Sequence, residues 1–221
     1  MISIHQRCFP IWLLFLPTLG LAADSVSAFG LRWTVPLAAD WKVEKLDGFE
    51  TLSLLTPKPS TQPRRPTQFA LAETADYLTA TVEAEVKKEP KALRNRKNSL
   101  IIVYAYQDAD HFNYAHISDD MGSVSPQHNG IFHVYGGDRV RISRTEGEAT
   151  LTEEKWYKVK LEYDGRSGRV DVFVDGKTSP SLRGCDMSLG AGRIGIGSFF
   201  DTGQFRNFKI TGVTANITTH R

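Results

Sequence analysis

Apolar and polar residues alternate along much of this chain, and the alternation is clearest in Tyr77–Lys87. Ala80, Val82, Ala84 and Val86 occupy every second position there, with threonine or glutamate between them. Because successive side chains of a strand point to opposite faces, this pattern predicts a strand with one face in a core and the other in solvent. No segment shows the spacing of an amphipathic helix.

Shorter alternating runs recur along the chain and are separated by turn residues. Two of them flank Asp47-Gly48, a dipeptide that favours hairpin turns, and Asp175-Gly176 marks another tight turn. About a dozen strands without helices between them predict an all-β fold, a two-sheet antiparallel jelly-roll sandwich. The predicted strands are Trp41–Leu46, Phe49–Leu55, Tyr77–Lys87, Ser99–Tyr106, Phe112–Ile117, Gly130–Tyr135, Arg139–Ser143, Lys155–Tyr163, Arg169–Val174, Arg193–Ser198 and Phe205–Thr211.

One connection, Thr56–Gln68, contains four prolines. Proline donates no hydrogen bond to a β-ladder, so this stretch cannot be a central strand, and we interpret it as an extended connection. The rest of the chain shows no internal repeat, no low-complexity tract and no sign of a second domain.

The N-terminus has the pattern of a secretory signal peptide. Arg7 precedes an apolar stretch that ends in small residues near Ala22, and the stretch is too short to span a bilayer comfortably. We expect cleavage after Ala22, with cleavage after Ala28 as the alternative. The chain is then divided into a signal peptide, residues 1–22, and a single jelly-roll domain, residues 23–221. This predicts a secreted or periplasmic protein without stable membrane insertion after cleavage.

Composition and charge narrow the class of protein further. The 221 residues are 41% hydrophobic and 24% charged, which is typical of a globular domain. The 27 lysines and arginines nearly balance 25 acidic residues, so we expect no nucleic-acid partner. Signal cleavage would leave Cys185 as the one cysteine, without an internal disulfide, and we expect it to be a buried small residue.

Three stretches of the chain combine alternating strands with turns in a characteristic order. They read NSLIIVYAYQDADHFNYAHIS, EKWYKVKLEYDGRSGRVDVFVDGK and GRIGIGSFFDTGQFRNFKI. Together they resemble the concanavalin A-like lectin/glucanase jelly-roll superfamily, and within it bacterial laminin-G-like domains and 3-keto-disaccharide hydrolase domains. The resemblance covers Trp41 to Thr211 and implies a curved sandwich whose concave face commonly meets glycans. It implies no single activity, because this fold hosts lectins, carbohydrate-binding modules, glycosidases, lyases and adhesion domains.

The most polar part of the predicted sheet lies between residues 112 and 141. If its two strands pair, His116 and His128 lie near one end of the sheet, with Asp119 in the connecting loop. Such groups can bind a sugar, position a water molecule or hold a metal, but their spacing matches no specific zinc pattern. If the protein is an enzyme, these three residues are the predicted acid and base groups.

The family resemblance and the tyrosines of the predicted strands add further residues to this candidate site. The hydrolase-like relatives have a similar arrangement of His, Asn and Arg, which the resemblance transfers to His116, His128, Asn129 and Arg141. Tyr104 and Tyr106 are predicted to share one strand face, and tyrosine rings stack well on sugars, although core packing is equally open to them. The predicted ligand-binding residues are Tyr104, Tyr106, Tyr114, Asn129, His133, Arg139 and Arg141.

Acidic residues elsewhere in the chain suggest two weaker alternatives, a glycosidase carboxylate pair and a calcium site. Glu83 and Glu85 share a strand face, as a glycosidase carboxylate pair requires, but the extended acidic motif of laminarinase-type enzymes is absent. We interpret them as part of a solvated face. Asp108, Asp110 and Asp201 lie in predicted turns and supply the oxygen ligands that calcium prefers, so a structural calcium ion remains an open alternative. The sequence otherwise predicts no cofactor.

Three functions remain open at this point. The leading hypothesis is a jelly-roll domain that binds carbohydrate on its concave face, and the second is a glycoside hydrolase of the 3-keto-disaccharide hydrolase type. The third is a non-catalytic laminin-G-like adhesion or scaffold module. An enzyme needs titrating groups that converge in one pocket, whereas a lectin-like site needs exposed aromatic rings. A scaffold would bury Tyr104, Tyr106 and His116. The sequence does not predict the oligomeric state.

Overall fold

The computed structural model describes residues 23–89, 99–120, 128–143, 149–152 and 154–215, so the predicted signal peptide lies outside the described residues. Among these residues a single 3-10 turn is the only helix, and none is long and apolar enough to cross a membrane. The strands are Asp24–Ala28 (β1), Leu31–Val35 (β2), Trp41–Leu46 (β3), Phe49–Leu54 (β4), Gln68–Ala72 (β5), Tyr77–Lys88 (β6), Ser99–Asp108 (β7), His111–Ser118 (β8), Gly130–Tyr135 (β9), Val140–Arg141 (β10), Tyr157–Asp164 (β11), Arg169–Val174 (β12), Leu182–Cys185 (β13), Arg193–Ser198 (β14) and Gly203–Thr214 (β15).

The strands form two antiparallel sheets. One sheet has eight strands in the order β1-β2-β5-β14-β7-β8-β9-β10, and the other has seven in the order β13-β12-β11-β6-β15-β4-β3. In the eight-stranded sheet β14 lies between β5 and β7, so strands distant in sequence become neighbours. The predicted all-β, two-sheet antiparallel sandwich is confirmed.

The core between the sheets follows from the alternation in the sequence. Ala80, Val82, Ala84 and Val86 of β6 are all buried in one large cluster that also contains Ile102 from the facing sheet. Burial of such side chains contributes about 25 cal/mol for each Å² of apolar surface removed from water, and this term drives the packing of the two sheets.

Several strands were not predicted, namely β1, β2, β5 and β13. The predicted strand Arg139–Ser143 shortens to Val140–Arg141, and the predicted hairpin at Asp47-Gly48 and tight turn at Asp175-Gly176 are present. Cys185 is exposed, which contradicts the expectation of a buried residue. The reason is its register on β13, where Leu182 is buried and the alternate residues face outward.

A second buried cluster lies on the outer face of the eight-stranded sheet, the face turned away from the seven-stranded sheet. Its members are Ile101, Val103, Phe112, Tyr114, Phe132, Val134 and Phe199.

The proline-rich connection crosses this outer face, and we call its residues 55–67 the strap. The backbone N–H of Lys58 donates to the carbonyl of Phe200 (3.0 Å), and that of Arg139 donates to the carbonyl of Arg64 (3.0 Å). The Arg64 N–H in turn donates to Asp138 Oδ1 (2.6 Å). The strap contains no strand, although Gln68 at the end of the predicted connection begins β5. The strap is tied to the turn that follows β9.

Candidate functional site

Arg139 organises the polar part of the outer face. Its guanidinium carbon lies 4.6 Å from the ring centre of Phe132 and 4.3 Å from that of Phe199. Nη1 donates a hydrogen bond to the hydroxyl of Tyr114 (2.9 Å) and lies 3.2 Å from Nδ1 of His116. Three residues predicted for the site, Tyr114, His116 and Arg139, are therefore brought together. Tyr114 and His116 are nevertheless buried, so they are not an open sugar platform.

His128 extends this group toward the end of β8. Its ring centre lies 5.4 Å from that of His116, and its Nδ1 lies 3.2 Å from Oδ2 of Asp120. A carboxylate can only accept, so Nδ1 carries the proton and Nε2 of the neutral ring is an acceptor. Burial lowers the pKa of His128, although the Asp120 carboxylate opposes this shift. At neutral pH this imidazole is therefore mainly neutral.

Asp119 does not join the two imidazoles. It forms an ion pair with Lys88 (2.8 Å), and both side chains are buried. The carboxylate that orients His128 is that of the neighbouring residue, Asp120.

Asn129 and Arg141 hold the backbone next to this group. Asn129 is fully buried, and its side chain accepts from the N–H of Ser118 (2.8 Å) and donates to the Ser118 carbonyl (3.1 Å). Arg141 donates to the carbonyls of His128 (2.9 Å) and Asn129 (2.8 Å). These contacts stabilise the positive φ of Asn129 (40°), a backbone region that asparagine tolerates better than most residues.

The prediction that Tyr104 and Tyr106 share a face is wrong. Ala105 has a φ of 50°, and the pairing of β7 with β8 shifts register after Tyr104, as expected of a β-bulge. Tyr104 therefore points into the core, where its ring centre lies 4.8 Å from that of Tyr163 and burial raises the pKa of its hydroxyl. Tyr106 lies on the outer face.

His133 also lies apart from the predicted rim. Its neighbours Phe132 and Val134 face outward, so alternation turns His133 to the opposite face of the sheet. Its Nδ1 lies 2.9 Å from Asp186 Oδ2 and 3.1 Å from Asn113 Oδ1.

An open groove of about 290 Å³ lies beside the strap on the outer face, and Tyr106 lines it. The Tyr106 ring centre is 5.8 Å from the ring centres of both Phe69 and Phe112. The guanidinium carbon of Arg193 lies 5.2 Å from the Tyr106 ring centre. Tyr106 is half-buried, and its burial raises the pKa of its hydroxyl, so this group stays protonated and can donate. The groove thus combines aromatic surface with hydrogen-bonding groups.

Two residues of this groove were missed by the sequence analysis. Arg65 belongs to the strap and forms an ion pair with Asp110, and Phe69 belongs to the unpredicted strand β5. Both residues reach Tyr106 through long-range contacts, because the strap and β5 precede β7 in the chain and β14 lies between β5 and β7 in the sheet. The one signal for this groove in the sequence was the pair of adjacent arginines, Arg64 and Arg65, in the proline-rich connection.

The remaining acidic candidates are placed separately. Glu83 is exposed, and Glu85 pairs with Arg206 (2.7 Å) on the outward face of the seven-stranded sheet. Burial alone would raise the pKa of Glu85, but its hydrogen bonds with Arg206 and Asn207 lower it. Of the calcium candidates, Asp108 ends β7, Asp110 lies in the β7–β8 turn, and Asp201 accepts a hydrogen bond from the backbone N–H of Ser99. The described residues contain no cluster of three or more metal-ligating side chains.

Comparisons with known proteins give the fold. No protein-family model and no curated protein matches the chain. A carbohydrate binding module from Bacillus subtilis superposes with a TM-score of 0.55 at 15% identity, covering 81% of this chain and 95% of its own. A protein with a galectin-like fold from Bacillus subtilis gives 0.51 at 14% identity, covering 80% and 88%.

A larger enzyme contains a similar domain. Xylan β-1,4-xylosidase from Bacillus halodurans superposes with a TM-score of 0.55 at 12% identity, over 86% of this chain but only 38% of the enzyme. At such identities the likeness concerns the fold alone. The chain has the concanavalin A-like jelly-roll sandwich fold.

Proposed function

We propose that this protein is a carbohydrate-binding domain and that the sugar binds in the groove around Tyr106. The observation that carries the proposal is the half-exposed ring of Tyr106, which lines an open groove together with Phe69 and Phe112. Aromatic faces stack on the apolar faces of sugar rings, and a few polar groups at the edge fix orientation. The carbohydrate binding module among the solved neighbours supports the same ligand class.

The polar groups at this groove suit a hydroxyl-rich ligand. Arg65 and Asp110 form an ion pair at its edge, and a guanidinium beside a carboxylate offers donors and acceptors for neighbouring sugar hydroxyls. Arg193 over the Tyr106 ring makes no ion pair among the described residues, so its donors are open to a ligand. The signal-like N-terminus adds the proposal that binding takes place outside the cytoplasm.

Replacing Tyr106 with alanine is expected to weaken sugar binding about tenfold or more, because it removes the stacking surface and a donor. Tyr106→Phe keeps the ring and should lose less. The measurement is titration calorimetry with oligosaccharides of the glucan, xylan, galactan and fructan series. Phe173→Ala, which removes a half-buried ring from the other sheet, is the matched control. Equal affinity of Tyr106→Ala and wild type would remove the groove from the proposal.

The burial pattern separates this proposal from a scaffold. A scaffold would bury Tyr104, Tyr106 and His116, and two of these three residues are indeed buried. Tyr106 differs, because it is only half-buried and opens into the groove. That difference favours a ligand site over a purely structural module.

A specific observation also favours glycoside hydrolysis as a second candidate. Asp120 orients His128, burial lowers the pKa of that imidazole, and His116 lies beside it. A neutral, oriented imidazole is a suitable general base, and groups of this kind contribute about 10²–10⁴-fold to a rate.

The enzyme candidate is tested with ordinary and 3-oxidised disaccharides. If it is correct, His128→Gln should lower turnover at least a hundredfold, and Asp120→Asn should lower it as well because the imidazole loses its orienting carboxylate. Product release is measured by chromatography of the reaction mixture. Equal turnover by His128→Gln and wild type would exclude His128, and binding without turnover would support the carbohydrate-binding proposal.

A further inference from the structure

A second aromatic surface lies on the opposite side of the same sheet, at the end of β9. Tyr135 is 60% exposed, the largest exposed aromatic fraction among the described residues. Its ring lies nearly parallel to that of His133, with centres 5.5 Å apart and an interplanar angle of 11°. The ring of His111 meets it edge-on, with centres 4.6 Å apart. We call these three residues the Tyr135 platform.

Carboxylates fix both imidazoles of the platform. Nδ1 of His111 lies 2.8 Å from Asp108 Oδ1, and Nδ1 of His133 lies 2.9 Å from Asp186 Oδ2. Asn113 Nδ2 also donates to Asp186 Oδ2 (2.8 Å), which holds that carboxylate in place. Both imidazoles are therefore held in place before any ligand arrives, and a preorganised site loses less conformational entropy on binding.

The carboxylates also determine which atoms of the imidazoles face a ligand. A carboxylate accepts but cannot donate, so the proton of each neutral ring is on Nδ1 and Nε2 is an acceptor. Every hydrogen bond of these two rings with the described residues uses Nδ1. Two acceptor atoms thus accompany the exposed ring of Tyr135.

We propose that the Tyr135 platform is a second sugar-binding subsite, in which a sugar ring stacks on Tyr135 and donates hydroxyl hydrogen bonds to Nε2 of His111 and of His133. The two subsites lie on either side of the β7–β8 turn. Asp110 of this turn pairs with Arg65 at the Tyr106 groove, and Asp108 of the same turn holds His111. The strands that carry Tyr106 and Tyr135 are separated by two strand spacings, about 10 Å.

The natural ligand is then an oligosaccharide that passes over the β7–β8 turn and contacts both subsites. This inference rests on the proposed function, from which it takes the class of ligand. It adds a second sugar-binding position and a preference for longer oligosaccharides. Joined subsites raise affinity without further contacts, because binding at the second becomes intramolecular. A disaccharide, which is too short to reach both, is expected to bind in the Tyr106 groove.

The test compares disaccharides with longer oligosaccharides of the same glucan, xylan, galactan and fructan series by titration calorimetry. Tyr135→Leu is expected to weaken binding of the longer ligand about tenfold and to leave disaccharide affinity unchanged. His111→Phe keeps a ring and removes Nε2, so it should weaken the longer ligand several-fold. Phe49→Leu removes an exposed ring from the other sheet and is the matched control. Circular dichroism verifies that each variant is folded.

The outcomes distinguish the two proposals. Both subsites are supported if Tyr106→Ala loses affinity for both ligand lengths and Tyr135→Leu loses affinity for the longer ligand alone. If Tyr135→Leu and Phe49→Leu match wild type with every ligand while Tyr106→Ala loses affinity, the second subsite is overturned and the proposed function stands. If only Tyr135→Leu loses affinity, the platform is the sugar site and the Tyr106 groove is overturned. Absence of binding by wild type across all four series overturns both.

Discussion

Replacing Arg139 with methionine is expected to lower the free energy of unfolding by about 3 kcal/mol. The guanidinium lies between the rings of Phe132 and Phe199 and donates to the buried hydroxyl of Tyr114. Methionine retains packing of the stem but removes the charge from both rings and the donor from the hydroxyl. A buried polar group without its partner costs about 1–3 kcal/mol, and each cation–π contact contributes about 0.5–2 kcal/mol.

Arg193→Met provides the matched control for this prediction. The Arg193 guanidinium lies over one ring only, that of Tyr106, and this side chain makes no hydrogen bond or ion pair with the described residues. Its replacement should therefore cost less than about 1 kcal/mol. Urea unfolding measures both values, provided that the m-value is unchanged. Equal losses in the two variants would contradict the role assigned to Arg139.

Most of the fold could be predicted from the sequence because its signals are local. The alternation in β6 fixes which side chains enter the core, and Asp47-Gly48 and Asp175-Gly176 adopt the positive φ values of tight turns. The turn between β1 and β2 has the same geometry but is formed by Phe29-Gly30, with φ values of 58° and 70°. Phenylalanine is an uncommon residue at such a position, so this hairpin carried no recognisable turn signal.

The candidate site could be predicted only in part, because its geometry depends on two non-local features. Strict alternation places Tyr104 and Tyr106 on one face, and a single positive φ at Ala105 separates them. The strap then brings Arg65 to the outer face through its contact with Asp110, a pairing between residues 45 positions apart. Neither the bulge nor the strap's path follows from residue spacing. The proximity of His116, His128 and Arg139 could be predicted because these residues lie on or beside two strands that pair. Their role in binding or catalysis stays a prediction.

The burial of the predicted residues also changes the interpretation of the outer face. Tyr114 and His116 lie beneath Arg139 and Phe199, so the outer face is filled there by the protein's own side chains. The open aromatic surface is displaced toward the β7–β8 turn, where Tyr106 lines the groove. Ligand binding is accordingly expected near that turn rather than over the middle of the sheet.

Replacing Lys88 with methionine is expected to have the largest effect on stability, a loss of about 3–5 kcal/mol. Lys88 ends β6 in the seven-stranded sheet, and Asp119 follows β8 in the eight-stranded sheet, so their 2.8 Å ion pair joins the ends of the two sheets. Each side chain is only 8% exposed. Removing the ammonium breaks a buried ion pair, which costs far more than loss of a surface pair.

The exposed pair Lys42–Glu44 is the control, since it has a similar distance of 2.7 Å but side chains that are 55% and 27% exposed. Lys42→Met should cost less than about 1 kcal/mol. The double variant Lys88→Met, Asp119→Leu should recover part of the loss, because it removes both buried charges together. Asp119→Asn should lower stability in the same urea series. Equal small losses for Lys88→Met and Lys42→Met would show that the Lys88–Asp119 pair does not hold the sheet ends together.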